Sequence, residues 1–413
     1  MKTHMAVSVF CNQVKVGDLQ IWAQGLKETY CFTYTSSWLE KGFALDPQLP
    51  LSEYPCTDTT LWGCFQDISP DRWGRLVQRR KNKGLLSESQ YMLGTSDYFR
   101  MGALRLYTEG KFVADTTDIP KLMHLNALSE ASARLEQGEA CDKDIKQLLS
   151  PSGSLGGARP KAGVEKQGAL YIAKFPSIKD KDSQIPECEQ TMLFLAHLAG
   201  INVCESHLHH IGDQAILLVK RFDRISTDRI PYMSAMTLLE AKDGETYNYC
   251  ELSQKLSIPD RQELFRRMVF NGLFGNCDDH LRNHGLLYQN GKWALSPAFD
   301  ITPTPTDWHK QQHALLFAPG EPLPSLDLFN QIKEYFNVDH TMFATILSAM
   351  LIAQENFEPI ARKNGINKNN LTELEHNYAH AEFGKIQNYL GVLKAKKQTQ
   401  TPAKSSQSRP LTL

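Results

Sequence analysis

Between residues 276 and 300 the chain gathers the side chains that phosphoryl transfer needs. The run is Asn276-Cys277-Asp278-Asp279-His280-Leu281-Arg282-Asn283, then Leu286-Leu287-Tyr288, then Trp293-Ala294-Leu295-Ser296-Pro297-Ala298-Phe299-Asp300. A transferred phosphoryl group needs a carboxylate beside the attacking hydroxyl. It also needs oxygen ligands on Mg²⁺, which takes carboxylate, amide carbonyl and phosphate oxygens. Asp278 supplies the first, with His280 its neighbour in the loop. Asn283 and, after a hairpin and an aromatic, Asp300 supply the second. Plainer readings of the same residues stand beside this one. Asp278, Asp279 and Asn283 suit an ordinary polar turn, and His280 and His284, four apart, could share a metal on a helix face, although without an HExxH context.

Such a site also needs a cation on the nucleotide phosphates. Gly168 to Phe175 reads as a strand stopped by Pro176, and Lys174 closes it as the VAIK lysine of protein kinases does. A helix is expected from about Glu187 to Ala199, closed by Gly200. Glu189 borders its apolar side and is the expected partner of Lys174, whereas Glu187, in the first turn, suits the helix dipole. Alone, Lys174 would read as a solvated surface charge. Its order ahead of Asp278, Asn283 and Asp300 gives it meaning. Upstream, Ser152-Gly153-Ser154-Leu155-Gly156-Gly157-Ala158-Arg159-Pro160-Lys161 matches neither GxxxxGK[ST] nor GxGxxG. Closely spaced glycines still let backbone N–H groups approach phosphates, with charge from Arg159 and Lys161. A flexible linker has the same composition.

The elements that must position these groups can be read more coarsely. Residues 6–35 have the Val, Phe, Tyr and Thr content of short strands with turns. Two short helices fit Thr60 to Arg80, with Ser69 as the expected cap of one beginning at Pro70. Residues 118–150 are helical in composition and end at the serine- and glycine-rich stretch. Ile216 to Val219 reads as a buried strand. Leu264, Phe265, Met268, Phe270, Leu273 and Phe274 form a helix face leading into the 276–283 loop. Helices are expected over 325–392, with Met342, Ile346, Met350 and Ile352 as one core stripe. From Lys385 onward there are six basic and no acidic residues, which reads as a solvated, disordered tail.

Composition bounds the whole. Of 413 residues 41% are hydrophobic and 22% charged, with no apolar run long enough to span a bilayer, so disorder and a membrane protein are both excluded. Lys and Arg number 45 against 46 Asp and Glu, which leaves no global basic field for nucleic acid. The N-terminus lacks a secretory pattern, and nine cysteines without a CxxC pair read as reduced thiols, so a cytoplasmic location is expected.

Taken together the motifs resemble the HipA family of bacterial serine/threonine protein kinases, the toxins of type II toxin–antitoxin pairs. The resemblance rests on SxGGARPKA at Ser154 to Ala162, IAKFPS at Ile172 to Ser177, VKRFDR at Val219 to Arg224, NxDDHxxN at Asn276 to Asn283 and LSPAFDITP at Leu295 to Pro303. Phe65 to Arg75 adds F-x-D-x-x-P-D-x-W-G-R, and coverage runs from about residue 6 to 390. The resemblance implies an α+β, two-lobed protein-kinase-like fold with a β-rich N-terminal subdomain and a mostly α C-terminal lobe. The units would be residues 1–115, the rest of the N-lobe at 116–222, the C-lobe at 223–393 and the basic tail at 394–413.

The resemblance further implies an ATP- and Mg²⁺-dependent enzyme that arrests growth by phosphorylating a protein, with aminoacyl-tRNA synthetases as known targets in the family. It implies a HipB-like helix-turn-helix antitoxin partner, DNA contact only through that partner, and no membrane. Asp278 resembles the catalytic aspartate with His280 beside it, Asn283 and Asp300 the Mg²⁺ ligands, and Lys174 the ATP-phosphate lysine. Gly156, Gly157, Ala158, Arg159 and Lys161 would face the phosphates, and Val219, Lys220, Arg221 and Phe222 would form the hinge at the adenine. Ser154, with Ser152 as the alternative, resembles an autophosphorylated serine whose modification expels the loop. Phosphoserine adds about −1.5 to −2 charge beside a pocket built for other phosphates. Two other readings keep the residues but change the role: a kinase-fold phosphotransferase for a small molecule, and a catalytically silent module that holds an antitoxin and its DNA.

Overall fold

The computed structural model describes residues 2–400 except 117–118, 155–156, 181 and 227, with side chains for all of these but residues 2 and 396–400. Strands β1 (Lys2–Cys11), β2 (Val14–Gln24) and β3 (Lys27–Tyr34) form successive antiparallel hairpins. With β4 (Cys56–Asp58), β5 (Leu104–Thr108) and β6 (Lys111–Phe112) they make a six-stranded sheet in the order β4-β3-β2-β1-β5-β6. Period-2 alternation places Val7, Val9, Leu19, Ile21, Tyr30 and Phe32 in one core with Trp38, Trp62 and Phe65.

A second antiparallel sheet, β7 (Lys161–Lys166), β8 (Ala169–Lys174), β9 (Ser206–Ile211) and β10 (Gln214–Lys220), has the order β7-β8-β10-β9. Its two faces enter different cores. Ala162, Tyr171, Ala173, Ile216 and Leu218 pack with Leu125, Leu128 and Leu148 from helices Leu125–Gln137 and Asp142–Leu149. Ile172, Leu217 and Val219 face helix Ile185–Leu198 and the C-terminal lobe. Lys161 lies opposite Lys174 in the β7–β8 register, one step from the Ala162–Ala173 pair, so both lysines share the second face.

The C-terminal lobe is mostly helical, built around the buried helix Ile258–Phe274 with Pro259 in its first turn. Gly275 ends that helix at φ 68°, a left-handed cap that turns the chain directly into the 276–283 loop. The hairpin β11 (Arg224–Ile225) and β12 (Asp228–Arg229) leads to β13 (Tyr232–Ser234). This strand joins β14 (Gly285–Gln289) and β15 (Lys292–Leu295) in a small sheet between the loop and Asp300. Among the described residues no helix is long and apolar enough to cross a membrane.

Four expectations change in detail. Asp71, not Ser69, caps helix Arg72–Asn82: its carboxylate accepts from the Gly74 N–H at 2.7 Å, while Ser69 Oγ donates back to the Phe65 carbonyl. A unit drawn at 1–115 holds two cores, because Trp73 and Val77 of that helix pack with the second sheet rather than with the first. The last helix runs Ala381–Gln400, so residues 394–400 continue it and are not tail; 401–413 lie outside the described residues. In helix His340–Glu355, Ile346 and Met350 are buried, but Ile352 is half exposed and off the stripe.

Candidate functional site

Lys174 sits where β8 delivers it, at the mouth between the two lobes. Its Nζ donates to Glu189 Oε1 at 2.5 Å and to Asp300 Oδ1 at 2.7 Å. The partner expected from helical spacing is thus the one in contact; Glu187 instead lies in the helix's first turn. Burial opposes the charge on Lys174, but Asp300 and Glu189 together push its pKa above the usual lysine value. Burial likewise opposes the Asp300 carboxylate, and Lys174 with Lys161 holds it well below the ordinary range. Glu189, almost fully buried, is pushed up by desolvation despite its lysine. Asp300 adopts φ 58°, a left-handed conformation that costs an L-residue about 1 kcal/mol and is paired here with the Lys174 contact.

The loop after Gly275 is braced by its own backbone. The Asp278 carbonyl accepts from the His280 N–H at 2.9 Å and from Asn283 Nδ2 at 2.9 Å, and the Asn283 N–H reaches the His280 carbonyl. Asp278 is exposed, whereas Asp279 is buried and accepts from Tyr249, Asn271 and His284. Burial opposes that charge, and His284 with the Tyr249 hydroxyl lowers the Asp279 pKa. The two adjacent aspartates are therefore placed differently: Asp278 faces solvent, and Asp279 ties the loop to the lobe. His284 is committed to Asp279, which leaves the metal pair with His280 without support, and no group of three metal-ligating His, Cys, Asp or Glu occurs among the described residues. The donor set expected for Mg²⁺ is a different one. Asp300 uses Oδ1 for Lys174 and Asn283 uses its amide N–H, leaving one carboxylate and one amide oxygen for an ion that takes its other ligands from water and phosphate.

The glycine-rich loop lies over this mouth. Gly157 has φ 83°, a backbone conformation that favours glycine, and an ideal Cβ there would stand 2.8 Å from Lys161 Nζ and 4.0 Å from Asp300 Oδ2. Ser154 is buried, its Oγ accepting from the Met101 N–H at 2.6 Å, and the buried Ser152 hydroxyl has no partner among the described residues. Arg159 is taken by Asp180 at 2.6 Å on the rim. Ala158 lines the cleft, and Gly156 lies outside the described residues.

Of the residues expected to form a hinge, Val219 is buried in the core, Lys220 pairs with Glu205 on the surface and Phe222 packs on Phe299 at 5.4 Å. Arg221 turns its guanidinium to Asp223 and the Phe99 and Arg100 carbonyls, and its backbone N–H donates to the Leu170 carbonyl at 2.9 Å. Spacing alone assigned nothing to Asp71, which the fold brings within 3.2 Å of Lys161 Nζ. The signal available was an aspartate directly before a helix, hidden by the more obvious Ser69-Pro70 start. A cleft of about 1430 Å³ opens beside these groups, with Asp278, His280 and Phe299 on one wall and Trp22, Tyr30, Asp71 and Arg72 on the other.

Two family models match the chain, the HipA N-terminal domain over residues 7–94 and the HipA-like C-terminal domain over residues 153–357. Y4dM of Sinorhizobium fredii, named as a kinase, is 32% identical over 162 residues; the match takes in 34% of this chain and only 39% of that relative's length. The serine/threonine-protein kinase toxin HipA of Shewanella oneidensis is 24% identical over 340 residues, 70% of this chain and 74% of the relative. A chain from the solved complex of HipA, HipB and operator DNA of Shewanella oneidensis MR-1 superposes with a TM-score of 0.67 at 16% identity, covering 95% of this chain and 99% of that one. That likeness is one of fold, a two-lobed, kinase-like α+β architecture.

Proposed function

The chain belongs to the HipA family, and from that premise we propose that it is an ATP-dependent serine/threonine protein kinase that acts as a toxin. The observation that carries the reading is the joint hold of Lys174 on Glu189 and Asp300, together with an exposed Asp278 lining the cleft. A lysine fixed between two carboxylates is oriented toward phosphates, and an uncommitted carboxylate is available to take the proton of an attacking hydroxyl. Bound Mg²⁺ would supply charge neutralisation at the phosphates, held by Asp300 and Asn283. The acceptor reaches Asp278 through the cleft, whose far wall is the N-terminal subdomain.

The target is a protein that presents a serine or threonine, with an aminoacyl-tRNA synthetase as the first candidate to assay, and growth arrest is the cellular outcome. Ser154, or Ser152 two residues before it, is the self-modification site. The relative from Shewanella oneidensis was solved with HipB and operator DNA, and we infer a HipB-like antitoxin here, with DNA contacted through it. Intact mass after incubation with Mg-ATP tests the reading. The expected gain of one or more phosphates disappears in Asp278→Asn and falls in Ser154→Ala. An initially unphosphorylated wild type that gains none, and that leaves protein serine and threonine unmodified while phosphorylating a small acceptor, overturns it in favour of a small-molecule phosphotransferase.

A further inference from the structure

Asp71 belongs by sequence to the N-terminal subdomain, 90 residues before Lys161, yet the two side chains meet at 3.2 Å with 7% and 5% of their surfaces exposed. The helix start that Asp71 caps explains how it gets there. Its Oδ1 is occupied by the Gly74 N–H, which fixes the carboxylate and leaves Oδ2 for the ammonium. That first turn rests on the glycine-rich loop: a Cβ at Gly74 would lie 3.3 Å from the Gly153 carbonyl. Lys161 is the cross-strand partner of Lys174 on the same face of the sheet, and the Gly157 position lies between its Nζ and Asp300.

Two ammonium groups on one face repel each other, and each is held by carboxylates: Lys174 by Glu189 and Asp300, Lys161 by Asp71. An ammonium has three N–H donors, and among the described residues Lys161 spends one, on Asp71. We propose that Asp71 is a positioning residue of the phosphate site, holding the Lys161 ammonium beside Lys174 with its remaining donors toward the nucleotide phosphates. The inference rests on the kinase reading for the identity of the nucleotide. It makes the N-terminal subdomain a working part of the site rather than an appendage to it.

The test uses the full-length chain and the non-transferable nucleotide Mg-AMPPNP, with affinity measured by titration calorimetry and folding by thermal melting. Asparagine caps a helix as well as aspartate does, so Asp71→Asn keeps the helix start through its amide oxygen and replaces the charged acceptor facing Lys161 with a neutral amide N–H₂. Its affinity is expected to fall at least tenfold, with Asp71→Glu recovering part of the loss. Lys161→Met should lose as much, and the double variant no more than the worse single one, because the two residues act as a unit. In a transfer assay Asp71→Asn raises the KM for ATP by a similar factor. A purely structural Asp71 would lower the melting temperature and leave affinity unchanged; that result, or additive losses in the double variant, overturns the proposal. Should Asp71→Asn fail to fold, Asp71→Ser retains a cap and serves the same comparison. A wild type that binds Mg-AMPPNP but transfers nothing leaves this role standing while the kinase reading falls; one that binds no nucleotide overturns both.

Discussion

Lys174 Nζ and Asp300 Oδ1 lie 2.7 Å apart although 126 residues separate them in sequence. With Glu189 on the same ammonium, the contact joins the second sheet, the helix behind it and the segment after β15 at one atom. Lys174→Met leaves Glu189 buried without a cation, which should cost about 3 kcal/mol in urea denaturation and abolish phosphate transfer. Adding Glu189→Gln removes the stranded charge, so the double variant should recover most of the stability and none of the transfer. Recovery of both would mean the pair is structural only.

Under the proposed function Asp278 and Asp279 divide chemistry from architecture at adjacent positions. Asp278→Ala removes an exposed carboxylate and should change stability by no more than about 0.5 kcal/mol while eliminating transfer. Asp279→Ala strips Tyr249, Asn271 and His284 of a shared acceptor in the core and should cost about 3 kcal/mol. Urea denaturation of the two variants side by side checks the contrast. Equal destabilisation would show that the loop is not anchored through Asp279.

What the sequence made legible was local. A strand ending in lysine, a helix with glutamate on its apolar border and an Asp-to-Asn spacing of five are each set by short-range pattern, and the contacts of Lys174, Glu189 and the 276–283 loop follow them. Long-range placement was not legible. Nothing in Phe65 to Arg75 says that its helix leaves the first core for the second, so Asp71 reads only as part of a helix beginning at Pro70. Arg221 was read as one of four hinge residues, and periodicity could not show that its side chain serves Asp223 and two carbonyls of the N-terminal subdomain.

Asp67 gives the stability a pH dependence of predictable sign. It accepts from the Ser234 N–H at 2.8 Å and Thr237 Oγ1 at 2.9 Å, linking the N-terminal subdomain to β13, and burial raises its pKa to about 6 against those hydrogen bonds. An acid whose folded pKa exceeds its unfolded value binds more protons when folded. This group therefore favours the folded state most below the ordinary aspartate range, and its contribution is lost as pH rises from about 4 to about 6. Asp67→Asn, which can still accept both hydrogen bonds, should raise stability at pH 7 by about 2 kcal/mol and leave it nearly unchanged at pH 4. Equal effects at both values would remove the titration from the explanation.

Residues 219–224 carry one exposed ion pair and a buried carboxylate paired with two arginines, and comparing them tests how the N-terminal subdomain is fastened. Lys220 and Glu205 lie 2.7 Å apart with side chains 42% and 60% exposed, so Glu205→Ala should cost no more than about 0.5 kcal/mol. Asp223 is fully buried and accepts from Arg221, from Arg224 and from the Gly102 N–H at 2.6 Å. Asp223→Ala strands two arginines and an amide, which should cost about 3–5 kcal/mol. Burial opposes the Asp223 charge, but Arg221 and Arg224 hold its pKa well below the ordinary value, so this contribution is complete at neutral pH and lost as acid drives the carboxylate through its folded pKa. Arg221 also reaches the Phe99 and Arg100 carbonyls, so the loss should spread to the N-terminal subdomain and raise hydrogen exchange around residues 97–106 before the C-terminal lobe responds. A uniform rise across both lobes would show that the subdomains unfold as one unit and that Asp223 is not the fastening between them.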